Sequence, residues 1–298
     1  MNCRLCLNSF GGHRKGTPMV PFDFAYYRPQ SIAEATALFA ALERDGKRPL
    51  YYGGGTEIIT LSRLNLVRTA AVIDIKSIPE CRALEASADP LVLGAALSLG
   101  ELEEANPFPL LTKAAREVAD RTARNQITLG GNICGQIFYR ETALPLFVAE
   151  ADVIIAGPYG IRQCRFLDLF HQQLQLGRGE FVVQFKVDRA TATLPHFHRK
   201  RRKQGEVGYP LVTIAALKKD GTVRAALSGV CPFPFRSAEV EAHVNDRSRP
   251  VGERIQAAVD AFPRPILHDI EGSADYRLFV AAQLLEDMLR ELGDGETV

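Results

Sequence analysis

The 298-residue sequence lacks most of the marks that assign a chain to a class at once. It has no apolar run of the length that a membrane-spanning helix needs, which argues against a helical membrane protein. Its formal net charge is only +1, so neither nucleic acid nor a charged membrane surface is an expected partner. It contains no G-x-G-x-x-G opening a helix after a strand and no G-x-x-x-x-G-K-[ST], which leaves a conventional nucleotide fold as the poorer explanation. No internal repeat or low-complexity segment is found. Four of the six cysteines (Cys81, Cys134, Cys164, Cys231) stand alone, so a disulfide framework is not expected and reduced thiols fit a cytosolic setting. Cys3-x-x-Cys6 with His13 nearby has the form of half a metal or cluster site. A second cysteine pair at fixed spacing is missing, and a terminal extension rich in Gly, Asn and Arg is the better reading. Met1 to Asn8 lacks the apolar centre of a signal peptide, and the expected location is the cytoplasm. No Ser-His-Asp set or paired-carboxylate cluster stands out. Only His196 and His198 are close, and they have no identifiable third ligand.

What is present is ordinary in bulk and unusual in two places. Hydrophobic residues make up 46% and charged residues 24%, a globular composition with enough chain for two or three lobes. The unusual places are glycine turns. One is Leu50-Tyr51-Tyr52-Gly53-Gly54-Gly55-Thr56-Glu57, and the other is Thr128-Leu129-Gly130-Gly131-Asn132. Glycine turns the backbone freely and lets another molecule approach its amides without a Cβ in the way. A Gly-Gly that merely turns the chain is one reading of Gly130-Gly131; two such turns, each carrying a Thr, also suit a long diphosphate ligand held from two sides by backbone N–H groups.

In chain order, Phe22 to Tyr27 reads as a short strand. Ser31 and Glu34 form a capping box ahead of Ile32, Ala35, Leu38, Phe39 and Leu42 on one helical face. Strands are expected at Leu50–Tyr52 and Ala70–Ile75, with Ile58–Leu66 a short helix or irregular crossing between them. A strand at Leu91–Ala96 precedes a second capping box, Ser98 with Glu101, and Leu110–Asp120 is helical. Thr142–Glu150 looks helical despite Pro145, Asp152–Ala156 is a strand, and Glu180–Val187 is another by alternation. Val212–Leu217 and Val223–Val230, joined through Asp220-Gly221, form a hairpin. Helices follow near Ala238–Val244, Ile255–Phe262 and Ser273–Leu292. The run Arg199-Lys200-Arg201-Arg202-Lys203 reads as a solvated strand edge, or else as a phosphate or nucleic-acid patch.

These segments together resemble the FAD-binding (medium) subunit of the molybdenum hydroxylases, the group of xanthine, carbon monoxide and nicotinate dehydrogenases. The resemblance covers about Phe22 to Leu292. It rests on F-x-x-x-x-P-x-S-x-x-E-A over Phe24 to Ala35 with one residue of slack, G-G-T-[DE] at Gly54 to Glu57, and R-N-x-x-T-x-G-G-N at Arg124 to Asn132. An acidic position nine residues later (Glu141), a loose A-x-x-P-x-R at Val230 to Arg236 and S-x-x-Y-R at Ser273 to Arg277 complete it. The resemblance implies an α+β chain: a VAO/PCMH-type FAD-binding fold of two α/β subdomains (about 21–78 and 79–172, after an extension at 1–20), then a C-terminal antiparallel sheet with helices (173–298). It implies that Leu50 to Glu57 wraps the diphosphate of FAD and that Thr128 to Asn132 holds it from the other side. It also places Glu141, where Asp is usual, near the flavin, Phe181 beside a ring, and Arg199 at a family lysine that approaches the flavin. Arginine there would keep the charge and lose any proton-transfer role. The usual N-L-C-x-A-x-P-x-x-D is replaced by Asn132 to Glu141, where Tyr139 either meets the flavin or simply packs. The implied activity is that of a xanthine dehydrogenase-like oxidoreductase subunit. The implied partners are a molybdopterin-binding large subunit and a [2Fe-2S] small subunit, since this chain has no C-x4-C-x2-C spacing, with NAD or another acceptor receiving electrons. Two other readings stand beside it: a stand-alone reductase resembling the UDP-N-acetylenolpyruvoylglucosamine reductases, and a non-catalytic interaction protein that kept the fold.

Overall fold

A computed structural model describes residues 20–205 and 207–293, so the Cys3/Cys6 pair lies outside the described residues. The first sheet is parallel. Its strands β1 (Ala25–Tyr27), β2 (Leu50–Tyr52) and β3 (Ala71–Asp74) alternate with α1 (Ile32–Arg44) and α2 (Thr56–Arg63), and the spatial order is β1-β3-β2. Helix α1 forms as its spacing predicts, burying Ala35, Phe39 and Leu42. Its capping box is displaced by one residue. Ser31 accepts the N–H of Glu34, but the Glu34 carboxylate reaches past the cap to the N–H of Gln30 at 2.7 Å.

The second lobe follows a 3-10 turn (Ile75–Ser77) with α3 (Pro79–Arg82), β4 (Leu84–Glu85) and β5 (Leu91–Gly94). Five helices come next: α4 (Leu99–Ala105), α5 (Pro109–Arg116), α6 (Arg121–Arg124), α7 (Leu129–Cys134) and α8 (Ala143–Val148). Then come β6 (Asp152–Gly157), β7 (Gly160–Arg165), α9 (Phe166–Leu169), the small hairpin β8 (Phe170–His171) and β9 (Gln173–Leu174), and β10 (Phe181–Val187). The sheet order is β4-β5-β10-β6-β7, antiparallel throughout. The sequence reading grouped Glu180–Val187 with the C-terminal part, yet β10 is the middle strand here. The reason is burial on two sides. Val182, Phe185 and Val187 enter the core of the second lobe, while Phe181 and Val183 enter that of the first.

The third lobe contains α10 (Arg189–Ala192), β11 (His196–Arg201), β12 (Val212–Lys219), β13 (Thr222–Ser228), β14 (Phe235–Arg236), α11 (Ala238–Asn245), α12 (Val251–Asp260) and α13 (Ala274–Glu291). Its four-stranded antiparallel sheet has β11 on one edge. The hairpin turns at Asp220 and Gly221, both at positive φ, as a two-residue connection demands. Strand β12 is apolar on both faces because both are covered. Val212, Ile214 and Ala216 pack with α11 to α13, whereas Ala215 and Leu217 join the core built on α5 and α8. Among the described residues no helix is long and apolar enough to cross a membrane.

The Ser98–Glu101 capping box forms completely and does more than start α4. Arg82 bonds the Glu101 carboxylate and also the carbonyl of Ala96 at 3.0 Å, so it fixes the segment on which α7 rests. The hydrogen bond from Arg82 holds the Glu101 carboxyl down to about 2. A folded-state value below the unfolded one means stability present above about pH 4.5 and lost as pH falls toward 2. Glu101→Gln is expected to flatten that acid limb of a stability–pH curve. A limb unchanged in the variant would remove the pair from the account. Both side chains are more than a third exposed, so solvent screening keeps the contribution modest.

A candidate cofactor site where two glycine turns meet

The first glycine turn leaves the carboxyl end of β2 and becomes α2. A Cβ built on Gly54 would lie 1.7 Å from the carbonyl oxygen of Gln126, and one on Gly53 would lie 2.5 Å from Thr128 Oγ1. The first glycine turn therefore packs its backbone directly on Gln126 and Ile127 and meets the Thr128 side chain, at the entry to the second stretch more than seventy residues on. Gly55 caps α2 in the left-handed region at φ 72. Among the described residues no acceptor takes the N–H of Gly54, Gly55, Thr56, Glu57 or Ile58; the first amide of this turn to be used is that of Ile59, bonded to Gly55. Unsatisfied amides at the positive end of a helix favour an anion. The turn is held from behind by Lys76. Its ammonium reaches the Gly53 carbonyl at 2.6 Å and the buried Asp74 carboxylate at 2.8 Å, and lies over the Tyr52 ring. Tyr26 donates its hydroxyl to the same Asp74.

The second stretch is a helix rather than a turn. Thr128 caps α7 by accepting the N–H of Gly131, and Gly130 packs with its missing Cβ against Ala95. The amides of Leu129, Gly130, Gly131 and Asn132 are all engaged, with Leu97, Ala95, Thr128 Oγ1 and the Thr128 carbonyl. The sequence reading gave both stretches the same office. In the structure the open amides belong to the first, and the second supplies a bare surface and a hydroxyl. Asn132 Oδ1 accepts from Thr142 Oγ1 at 2.6 Å, and its amide nitrogen has no partner among the described residues. Asn132→Asp keeps the bond to Thr142 and replaces that free donor by negative charge. It is expected to weaken FAD retention by about 1.5–3 kcal/mol, the range of a hydrogen bond involving a charged group. Unchanged affinity in a fluorescence titration would place Asn132 outside the site. Glu57 lies in the first turn of α2, but its carboxylate faces the loop after α7, taking the N–H groups of Gln136 and Ile137.

Glu141 is buried against the third lobe. Lys200 Nζ donates to its Oε2 at 2.7 Å and Thr213 Oγ1 donates to its Oε1 at 2.7 Å, while Lys200 also bonds the Glu117 carbonyl. Burial pushes the Lys200 ammonium below the ordinary lysine range, against the pull of Glu141. The residue that meets Glu141 is thus Lys200, not Arg199. Along β11 side chains alternate, and Arg199 points the other way, to Asp287 and Glu291 of α13. All five cations of this run have partners, Arg202 bonding Glu117, Arg201 lying 3.9 Å from Asp287 and Lys203 bonding the Ile270 carbonyl. With four of its five cations beside carboxylates, the run makes a poor nucleic-acid patch. His196 and His198 share the Lys200 face with Nε2 atoms buried and unpartnered, and no group of three potential metal-binding side chains occurs among the described residues.

The remaining sequence candidates make packing contacts. Phe181 lies 4.4 Å from Tyr51, which stacks on Phe39 and donates its hydroxyl to the Gly179 carbonyl. Leu129 is fully buried, and Leu50 is half-buried in β2 opposite Val72. Tyr139 is buried and stacks on Tyr209 at 4.8 Å. Sequence reasoning missed the Lys76–Asp74 brace, whose only signal was an acidic residue at the end of a strand.

Residues 22–188 match the family model described as the FAD binding domain in molybdopterin dehydrogenase. The chain is 30% identical to the carbon monoxide dehydrogenase medium chain of Hydrogenophaga pseudoflava, over 91% of this chain and 97% of that protein. It is 25% identical to the glyceraldehyde dehydrogenase medium chain of Sulfolobus acidocaldarius, over 92% and 100%. The solved carbon monoxide dehydrogenase of H. pseudoflava superimposes with a TM-score of 0.78 at 27% identity, covering 91% of this chain and 98% of that one. The bare contact of the two glycine stretches and the open amides beside it suit the diphosphate of FAD. The chain belongs to the FAD-binding medium subunits of the molybdenum hydroxylases, a family of oxidoreductases.

Proposed function

We propose that this chain carries electrons for a heterotrimeric, xanthine dehydrogenase-like hydroxylase, between [2Fe-2S] centres on a small subunit and an acceptor such as NAD, while a separate large subunit binds the molybdopterin. The observation that carries the reading is the row of open amides from Gly54 to Ile58, in a turn packed against the Gln126–Thr128 segment that leads into α7. Bound FAD supplies the redox chemistry, and the protein supplies binding, orientation and electrostatics. In this proposal the Gly54–Ile58 amides take the diphosphate, the Asn132 amide donates to the cofactor, and the Glu141–Lys200 pair sets the charge beside the ring. Glu57 keeps the loop after α7 closed over the site. The cytoplasmic setting belongs to the same proposal and agrees with four free cysteines among the described residues.

The first test is the visible absorption spectrum of the purified chain, with acid release and chromatography of any chromophore. FAD at near one per chain is the expected result, followed by co-purification of a molybdopterin subunit and a two-cluster iron–sulfur subunit. A colourless chain that takes up no added FAD would overturn the assignment of the site.

A further inference from the structure

Arg140 stands next to Glu141 in sequence and faces a different part of the molecule. It is 6% exposed, donates Nε to the Gly135 carbonyl at 2.9 Å and Nη1 to the Gln172 carbonyl at 3.3 Å, and has no carboxylate partner among the described residues. The carboxylate whose field reaches it, Glu57, already holds the N–H groups of Gln136 and Ile137. The guanidinium is bonded only to neutral carbonyls, and its Nη2, without a partner among the described residues, is left open to solvent, where an anion can complete it.

The same side chain lines a cavity of 320 Å³ whose other walls are Gln136, Phe138, His171, Gln172, Gln173 and Pro232. The space is large enough for one oxyanion with part of its hydration shell. No acidic side chain lines it, and the three glutamine amides can donate to oxygen. No residue of Leu50–Glu57 or Thr128–Asn132 lines it. Arginine's planar fork matches carboxylate and phosphate in two parallel bonds.

We propose that the Arg140 cavity is a binding site for a small oxyanion, a phosphate or carboxylate group, distinct from the site where the two glycine turns meet. The anion would complete the charge of Arg140 and tie the loop after α7 to the β8–β9 hairpin. The proposal does not rest on the flavin reading.

The test is calorimetric titration of inorganic phosphate, and separately of acetate, into the purified full chain. Ionic strength is held constant with chloride, and each titration is run with and without saturating FAD. The expected result is saturable uptake of at least one of the two anions under both conditions, weakened at least tenfold in Arg140→Gln and in Gln173→Glu. The second variant keeps the guanidinium and both its carbonyl bonds but places a carboxylate on the cavity wall, so a loss there is not a folding defect. A preference for phosphate assigns the site to a phosphorylated ligand, and a preference for acetate to a carboxylic acid. No saturable uptake of either anion would overturn the proposal. So would uptake that FAD abolishes and that both variants leave intact, because the anion would then sit on the open amides of the first glycine turn.

Discussion

Gly54→Ala is expected to strip the chain of FAD while leaving most of its secondary structure in place. The new methyl carbon would stand 1.7 Å from the Gln126 carbonyl, and that neighbour is backbone, not a side chain able to swing aside. The two glycine stretches must then part by more than an ångström. The amides from Gly54 to Ile58 would lose their alignment with α7. If two charge-assisted hydrogen bonds to the diphosphate are lost at about 1.5–3 kcal/mol each, affinity falls by roughly 10²-fold to 10⁴-fold. Overpacking itself costs about 1–3 kcal/mol of stability. The comparison is Gly252→Ala in α12, where a Cβ meets nothing within 4 Å and α-helical propensity favours alanine. FAD titration followed by flavin fluorescence, with far-ultraviolet circular dichroism alongside, reads both effects. Wild-type stoichiometry and affinity in Gly54→Ala would end the argument for this junction.

The second large effect is expected at the Glu141–Lys200 pair. Lys200→Met removes the cation and leaves a buried carboxylate with Thr213 as its remaining hydrogen-bond partner. Breaking one side of a buried pair costs about 3–5 kcal/mol, whereas replacing both sides by neutral groups is often close to neutral. Lys200→Met should therefore be strongly destabilised to urea, and adding Glu141→Gln should recover most of the loss. A single variant as stable as the wild type at pH 7 would show that the pair does not hold the third lobe to the loop after α7.

Both arguments use residues that the sequence brought forward unevenly. Ser98 with Glu101 and the Asp220-Gly221 hairpin were legible because their signals are local, lying within a few residues of each other. The two glycine stretches were also legible, but Gly54 was read as room for a ligand, and its nearest neighbour is Gln126. Contact between backbones so distant in sequence leaves the same mark as a ligand: a position where no side chain fits. Helix α7 was read as a turn because paired glycines disfavour helix, and its compensation, packing of Gly130 on Ala95, is tertiary. The choice between Arg199 and Lys200 was open to sequence in principle. Strand alternation puts position 200 with 196 and 198, on the face opposite Phe197, and the apolar Phe197 marks the side covered by α13. The placement of β10 left no local sign, since a strand buried on both faces reads alike in either lobe.

That strand governs the order in which this protein can come into being. Strands β5 and β6 share no edge; each pairs with β10, which follows both in the chain. A ribosome that has released everything through β9, including both glycine stretches, has delivered two separate half-sheets with the gap between them still open. Isolated two-stranded pieces have little stability of their own. The sheet of the second lobe is thus not expected to form progressively from the amino terminus. It is expected to complete only once Phe181 to Val187 is available to pair with both neighbours, and any nascent fragment ending short of that strand should remain a client for chaperones and proteases.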